Sequence, residues 1–337
     1  MLSKEQRKRD VGIHLLVGFR GLTFEEELKS MVKDFNVGGI VLFRRNIESP
    51  GQLKLLIEQA QEFARETLGR PLWVAIDQEG GPVQRLIPPS FTRLPSAREL
   101  ASEGPQAIKK WTSIAAGELR QMGIQINLAP VLDAPPEGSS HFMEERSLSS
   151  NPETTAPLGN LWIQTLQENG VSATAKHYPG LGLAESDPHH FAPVIRWHNE
   201  AMMHRDLLPF RSAIDAGVHC VMTSHALYPF LDPDWPATLS PKVNDEWLRR
   251  RLGFKGALLS DDMDMAAVSE KYSWAEMVRQ GLFSSIDFFL LCQRQENLAP
   301  FYQTLTEAID HDPALADCHK SSLSRIEQLF KQHDIAF

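Results

Sequence analysis

Apolar runs recur along the chain at regular intervals, and each is followed by a segment with helical periodicity. Runs that are apolar almost throughout are typical of parallel strands buried on both faces, because a strand with one face in water alternates instead. The pattern therefore predicts eight parallel strands. They lie at 11–19, 37–43, 72–77, 126–133, 171–177, 218–225, 256–262 and 286–292.

The segments between the runs are amphipathic, and their ends carry recognisable helix signals. Asn151-Pro152 and Ser240-Pro241 each place a capping side chain before a proline at the first helical position. Glycines follow several of these segments, where a left-handed residue commonly ends a helix. The clearest predicted helices lie at 52–68, 107–122, 158–169, 200–216 and 273–284, and the glycines are Gly123, Gly170, Gly217 and Gly253.

Eight strand–helix units with no long linker between them favour one closed architecture. The fold class predicted is α/β, a single (β/α)8 TIM-type barrel that forms one catalytic domain over residues 1–337. An open, doubly wound parallel sheet is the alternative. Both folds place functional residues at the carboxyl ends of the strands.

Polar residues collect where the predicted strands end. In a barrel these ends form the catalytic rim. The three longest irregular loops, 134–155, 178–194 and 226–240, also follow strands, and long loops are usually functional. The pattern thus predicts an active site on this rim. The strand-end residues are Asp77, Asp133, Lys176-His177, Ser224-His225 and Ser260-Asp261-Asp262.

Composition and charge narrow the class of protein. The chain has 337 residues, of which 42% are hydrophobic and 23% charged, as in globular enzymes. A formal net charge of −9 argues against nucleic acid or an anionic membrane as the main partner. The three cysteines show no paired spacing, the first ten residues lack a signal-peptide core, and no apolar run reaches the roughly 20 residues of a membrane span. We expect a cytoplasmic enzyme that needs no protein partner.

The individual candidates differ in the roles they favour. Asp261 and Asp262 are adjacent and point to opposite sides of a strand, so one is a candidate nucleophile and the other a cap or a partner to a base. Asp187 and His189 lie in a loop that is too polar for a core. Asp133 precedes a proline pair and is predicted to be structural, and His225 is predicted to be a hydrogen-bonded core histidine.

Metal binding is a rival explanation for the histidines. Imidazoles and carboxylates at strand ends can hold zinc. However, the first strand offers only His14, and His189-His190 are adjacent, which is poor spacing for a shared ion. Gly180-Leu181-Gly182 also lacks the spaced glycines and the lysine of a phosphate-binding loop. We therefore expect no metal and no cofactor.

Four segments of the chain together resemble one enzyme family. They are the stretches 37–46, 76–85, 176–190 and 259–263, which read VGGIVLFRRN, IDQEGGPVQR, KHYPGLGLAESDPHH and LSDDM. In sequence, order and interval they resemble the glycoside hydrolase family 3 β-N-acetylglucosaminidases, the bacterial type that acts on cell-wall fragments. The resemblance covers nearly the whole chain and implies the same (β/α)8 barrel.

The resemblance also implies a role for each matching position. Asp261 matches the nucleophile that forms a covalent glycosyl-enzyme, and Asp187 with His189 matches an Asp–His dyad that replaces the usual acid/base carboxylate. The substrate implied is a saccharide with a terminal N-acetylglucosamine, as in muropeptide fragments of peptidoglycan recycling. The residues that match those holding this sugar are Asp77, Arg85, Arg146, Lys176 and His177.

The chain departs from the family pattern at a few positions. Leu181 and Leu183 stand where the family usually has His and Asp, so two polar anchors of the acid/base loop are expected to be missing. Pro188 stands where a small residue is common, and Pro82 replaces a frequent Arg. Two alternatives therefore stay open: an N-acetylglucosaminide phosphorylase that uses the same residues, and a catalytically weak sugar-binding barrel.

Overall fold

Eight parallel strands close into a barrel in which each strand pairs with its neighbours along the chain and the last pairs with the first. The structure is a computed structural model, and it describes residues 10–138, 141–184 and 193–333. Every run predicted as a strand overlaps one barrel strand, so the predicted (β/α)8 barrel is confirmed. The strands are β1 Leu15–Gly18, β2 Gly39–Leu42, β3 Trp73–Ile76, β4 Ile126–Asn127, β5 Ser172–Tyr178, β6 Cys220–Thr223, β7 Ala257–Asp262 and β8 Phe288–Leu291.

Helices surround the barrel, and each of the five helices for which the sequence predicts a residue range is present. The predicted helix 158–169 starts earlier than expected, at Pro152, where the Asn151 side chain accepts a hydrogen bond from the N–H of Glu153 at 2.9 Å. In the described part of the chain the α-helices are α1 Glu26–Phe35, α2 Pro50–Leu68, α3 Ala97–Glu103, α4 Pro105–Met122, α5 Pro152–Glu168, α6 Glu200–Asp215, α7 Ala266–Ser269, α8 Trp274–Phe283, α9 Leu298–His311 and α10 Pro313–Gln332.

The second predicted helix start leads to a different kind of helix. Ser240 Oγ accepts from the N–H of Val243 at 3.1 Å, as its capping role requires. The helix that follows, Lys242–Arg251, is a π-helix, and it closes with a hydrogen bond from Leu252 N–H to the Trp247 carbonyl. The cap signal marks where a helix begins, but not how tightly it winds.

Most strands are shorter than the apolar runs that contain them. The run 126–133 pairs as a strand only over Ile126–Asn127. Pro130 lies in the remainder, and proline has no N–H to donate to a ladder. An isolated bridge between Val131 and Lys176 resumes the contact with β5. The chain therefore leaves β4 early and runs irregularly along the rim towards Asp133.

The amino-terminal end of the barrel is filled by the helix α10. Ile326, Leu329 and Phe330 are buried and belong to the same apolar cluster as residues inside the barrel. The rings of Phe330 and Trp73 lie 4.4 Å apart between centroids. With this end closed, the carboxyl ends of the strands are the open end of the barrel.

Two further observations concern the described residues as a whole. No helix among them has both the length and the apolar character that crossing a bilayer requires. The cysteines Cys220, Cys292 and Cys318 are all unpaired thiols.

Candidate functional site

A cavity of about 570 Å³ opens at the carboxyl ends of the barrel strands. The size is in the usual range for a small-molecule site. Its walls bring together six of the residues that the sequence singled out, from four strands or the loops that follow them. They are Asp77, Arg85, Arg146, Lys176, His177 and Asp261. The other two predicted site residues, Asp187 and His189, and the departure at Pro188 lie outside the described residues.

A buried ion network forms one wall of this cavity. The Lys176 ammonium lies 2.8 Å from Asp77 Oδ1 and 2.7 Å from Glu79 Oε1. Arg146 binds both oxygens of Glu79, each at 2.8 Å, and Arg85 lies 3.3 Å from Asp77 Oδ2. We call these five residues the Lys176 cluster. It holds three cations and two carboxylates and therefore carries a net positive charge.

Burial and ion pairing shift the pKa values of the two carboxyl groups in opposite directions. Burial by itself would raise the pKa of Glu79, but the charges of Lys176 and Arg146 outweigh it and lower that pKa to about 2. Burial would also raise the pKa of Asp77, but the charges of Lys176 and Arg85 outweigh it and hold that pKa well below its usual range. Both groups are thus ionised at neutral pH and accept hydrogen bonds from the cations.

Glu79 is a member of the cluster that the sequence reasoning missed. Its side chain is 3% exposed and bridges Lys176 to Arg146. A signal for it existed: Glu79 lies two residues after Asp77 and just beyond β3, so both side chains can point to the same side. The prediction took Asp77 and Arg85 from this segment and gave Glu79 no role.

Two glycines that lie between Asp77 and Arg85 are needed for the turn that brings Arg85 back to Asp77. Gly80 and Gly81 have φ of 91° and 54°, where other residues are strained. A Cβ on Gly80 would lie 2.3 Å from the Pro95 carbonyl oxygen. Position 80 therefore requires glycine both for its positive φ and for the close approach of the Pro95 backbone.

His177 is held by Asp133, the strand-end acid predicted to be structural. Its Nδ1 lies 2.7 Å from Asp133 Oδ2, and its backbone N–H donates to the same oxygen at 3.2 Å. The peptide between Lys176 and His177 is cis. Asp133 is buried and does not line the cavity, so it orients His177, as the prediction of a structural role expects.

Asp133 also explains how the loop after β5 is held despite its leucines. The N–H of Leu181 donates to Asp133 Oδ1 at 2.6 Å, and the Leu181 side chain is buried in the core. Leu183 is half-buried and packs against the same core. The two polar side-chain anchors are absent, since leucines stand in their places, but a backbone N–H and apolar packing fix the first part of the loop. The other departure, Pro82, is exposed in the turn after β3 and does not line the cavity.

The two adjacent acids at the end of β7 have different surroundings. Both acids line the cavity, and Asp261 Oδ1 accepts from the N–H of Asp262 at 2.8 Å. Asp262 Oδ1 instead accepts from the backbone N–H groups of Asp264 and Cys292, both at 3.1 Å, which joins the ends of β7 and β8. Burial, with a contribution from Asp264, raises the pKa of Asp262 to about 7. Asp262 therefore caps a turn, the role predicted for one of this pair.

Two other histidines considered from the sequence, His225 and His14, are structural. His225 is buried, with Nδ1 2.9 Å from Thr238 Oγ1 and Nε2 3.0 Å from the Asp262 carbonyl oxygen, as a core histidine should be. His14 is buried away from the cavity, 2.7 Å from His319 Nδ1. Among residues 10–138, 141–184 and 193–333 there is no group of three or more side chains arranged to hold a metal ion.

Comparisons with known proteins agree with these features. The profile described as the glycosyl hydrolase family 3 N terminal domain matches residues 9–329. A β-hexosaminidase of Alkalilimnicola ehrlichii is 34% identical over 84% of this chain and 81% of its own length, and one of Thiobacillus denitrificans is 34% identical over 84% and 79%.

Solved structures of this family have the same fold. A glycoside hydrolase family 3 β-N-acetylglucosaminidase from Paenibacillus sp. is 33% identical, with a TM-score of 0.93 over 99% of this chain, which spans 63% of that longer protein. A β-N-acetylhexosaminidase from Beutenbergia cavernae is 28% identical, with a TM-score of 0.89, and the alignment covers 97% of this chain and 98% of that one.

Proposed function

Because the chain belongs to glycosyl hydrolase family 3 and is therefore a glycoside hydrolase, we propose that it is a retaining, exo-acting β-N-acetylglucosaminidase. The observation that carries the proposal is the Lys176 cluster beside Asp261 in one cavity. The cluster offers charged donors and acceptors for the hydroxyl groups of one terminal sugar.

The proposed reaction has two steps. The Asp261 carboxylate attacks the anomeric carbon, and the glycosidic bond breaks as His189 donates a proton to the leaving oxygen. His189 then takes a proton from water, which attacks the same carbon and releases Asp261. Asp187 orients the imidazole and stabilises its protonated form, as the acid does in a Ser-His-Asp triad.

The proposed sugar site uses the residues that match the family pattern. Asp77, Arg85, Arg146, Lys176 and His177 hold the terminal N-acetylglucosamine. The names of the similar proteins support this sugar, since they are β-hexosaminidases and β-N-acetylglucosaminidases. The proposed substrates are N-acetylglucosamine-containing muropeptide fragments, acted on by one catalytic domain spanning residues 1–337.

We further propose that the enzyme works in cytoplasmic peptidoglycan recycling. The three unpaired cysteines support a reducing compartment. Fractionation of cells that produce the chain tests the location. Recovery of the activity outside the cytoplasmic fraction would contradict it.

Proton NMR of the first turnover tests the proposed reaction. With an aryl β-N-acetylglucosaminide as substrate, we expect β-N-acetylglucosamine as the first anomer, followed by slow mutarotation. A first product with α configuration would contradict retention. With phosphate added, N-acetylglucosamine 1-phosphate would identify a phosphorylase, and absence of any product would favour a sugar-binding barrel.

The proposed acid/base role of His189 predicts an unequal effect of its removal. In His189→Ala, substrates with poor alkyl leaving groups should lose about 10²- to 10⁴-fold in rate, because their leaving oxygen needs a proton. Activated aryl substrates should lose much less in the bond-breaking step. Comparison of kcat/KM for a methyl and a nitrophenyl glycoside measures this difference, and equal losses would argue against the role.

A further inference from the structure

One cation at the mouth of the cavity differs from the others because its side chain, among the described residues, is not paired with a carboxylate. The three other cations that line the cavity belong to the Lys176 cluster and are each paired with a carboxylate. Arg294 lines the same cavity and is exposed to solvent. Within the described ranges, its guanidinium makes no hydrogen bond and no ion pair.

The backbone that carries Arg294 is nevertheless firmly held. Asp264 Oδ2 accepts from the N–H groups of Gln293 and Arg294 at 2.8 and 2.9 Å, and Asp264 Oδ1 accepts from Asn297 Nδ2 at 2.6 Å. Asp264 is buried, so these bonds are shielded from water. The loop is thus ordered by its main chain while the charged end of Arg294 stays available.

A second anchor reaches the same loop from the other side. The Arg45 guanidinium donates to the Cys292 carbonyl oxygen at 2.6 Å and to Gln293 Oε1 at 3.4 Å. Arg45 follows β2 and also donates to the Phe19 carbonyl oxygen after β1. Its donors are therefore engaged within the fold, in contrast to those of Arg294.

The depth of the cavity separates Arg294 from the proposed sugar site. Lys176 and Glu79 are about 3% exposed and lie at the buried end, whereas Gln293 and Arg294 are exposed at the mouth. Arg294 and Asp261 line the same cavity, and the N–H of Cys292, two residues before Arg294, donates a hydrogen bond to Asp262 Oδ1. A saccharide whose terminal sugar binds the cluster must extend its remainder towards this mouth.

We propose that Arg294 is a specificity-determining residue that binds a carboxylate on the leaving part of the substrate. The inference rests on the proposed function, because it assumes that the terminal sugar occupies the buried end. A guanidinium can bind a carboxylate through two parallel N–H···O bonds, which lysine cannot reproduce. The lactyl group of N-acetylmuramic acid carries a carboxylate of this kind.

The charge of the whole chain makes a local cation necessary for such a substrate. With a formal net charge of −9, the protein repels anions at long range. The guanidinium of Arg294 supplies a positive charge at the mouth that acts over roughly 8 Å, the screening length at physiological salt. The preference for an anionic substrate is therefore expected to weaken as salt is added.

A matched pair of substrates tests the proposal. One is N-acetylglucosamine β-linked to a sugar that carries a lactyl carboxylate, and the other has that carboxylate converted to the carboxamide. In the unchanged enzyme we expect kcat/KM to favour the carboxylate by about fivefold, which is roughly 1 kcal/mol for an exposed ion pair. Arg294→Gln should bring the ratio to about one, Arg294→Glu should invert it, and Arg294→Lys should retain part of it.

Arg20→Gln is the matched control. Arg20 is exposed after β1 on the same end of the barrel and does not line the cavity, so its removal changes the net charge equally. It should leave the ratio as in the unchanged enzyme. A ratio that Arg294→Gln does not alter, or that Arg20→Gln alters equally, overturns the proposal.

Binding measured by calorimetry separates this inference from the proposed function. The same two saccharides are titrated into the enzyme and into Arg294→Gln. Tighter binding of the carboxylate that is lost in Arg294→Gln supports the inference even if no saccharide is hydrolysed, in which case only the proposed function fails. Hydrolysis and binding of both compounds without preference overturn the inference and leave the proposed function standing.

Discussion

Replacing Asp261 by alanine is expected to lower kcat/KM for any β-N-acetylglucosaminide by at least about 10⁴-fold. The proposed reaction forms a covalent bond from this carboxylate to the anomeric carbon, and no other group in the variant supplies that bond. The space left by the side chain should admit a small anion. Added azide should therefore restore turnover of an activated substrate and yield the α-glycosyl azide, which NMR identifies.

Asp262→Asn provides the control within the same pair of acids. The amide keeps an oxygen that can accept from the N–H groups of Asp264 and Cys292, and burial already raises the pKa of Asp262 to about 7. We expect a loss of no more than about tenfold. A fluorinated N-acetylglucosaminide that traps the intermediate should label Asp261. A label on Asp262, or an active Asp261→Ala variant, would contradict the assignment.

The barrel could be predicted because the apolar run that specifies each strand is local in sequence and recurs eight times. Each buried parallel strand requires a continuous apolar run, and eight such runs alternate with amphipathic segments. The limits of the elements depend on details that this pattern does not contain. The β4 strand stops after Asn127, inside an apolar run, and Ser240 caps a helix that then winds as a π-helix.

The position of the helix that closes the amino-terminal end of the barrel could not be predicted from the apolar pattern. The helix α10 is amphipathic, with Ile326, Leu329 and Phe330 on its buried face. That face indicates that the helix packs on something apolar, but not that it fills the amino-terminal end of the barrel. Tertiary contacts such as that between Phe330 and Trp73 decide its place.

The candidate site could be predicted where its residues end strands. Asp77, Lys176 and Asp261 follow apolar runs, and the ends of parallel strands meet on one rim. Glu79 lies in a loop, where an acidic residue is usually solvated, so its burial between two cations was missed. The anchoring of Leu181 was also missed, because its donor is a backbone N–H that every non-proline residue has.

Replacing Glu79 by glutamine is expected to lower the free energy of unfolding by about 3–5 kcal/mol, because it breaks a buried ion network by removing one partner. Arg146 and Lys176 would then face an amide that has one acceptor oxygen and an NH₂ group. Displacement of these cations should also reduce kcat/KM by roughly 100-fold, since small misplacements in a site cost that much. Urea denaturation and steady-state kinetics measure the two effects.

The same variant makes a prediction about pH with a definite sign. Lys176 and Arg146, acting against burial, lower the pKa of Glu79 in the folded protein to about 2, from 4.5 for an unperturbed glutamate. The stability that this carboxylate contributes is thus fully present above pH 4.5 and is lost as the pH falls towards 2. The difference in unfolding free energy between the unchanged protein and Glu79→Gln should therefore be largest near neutral pH and shrink below pH 4.5.

An exposed glutamate provides the comparison for both measurements. Glu58 lies 3.9 Å from Lys54 on α2, with side-chain exposures of 61% and 56%. Such surface pairs contribute about 0–1 kcal/mol, so Glu58→Gln should change stability little and activity not at all. If Glu79→Gln were no more destabilising than Glu58→Gln, or if its deficit grew as the pH fell, the buried carboxylate of Glu79 would not be what holds Lys176 and Arg146 beside Asp261.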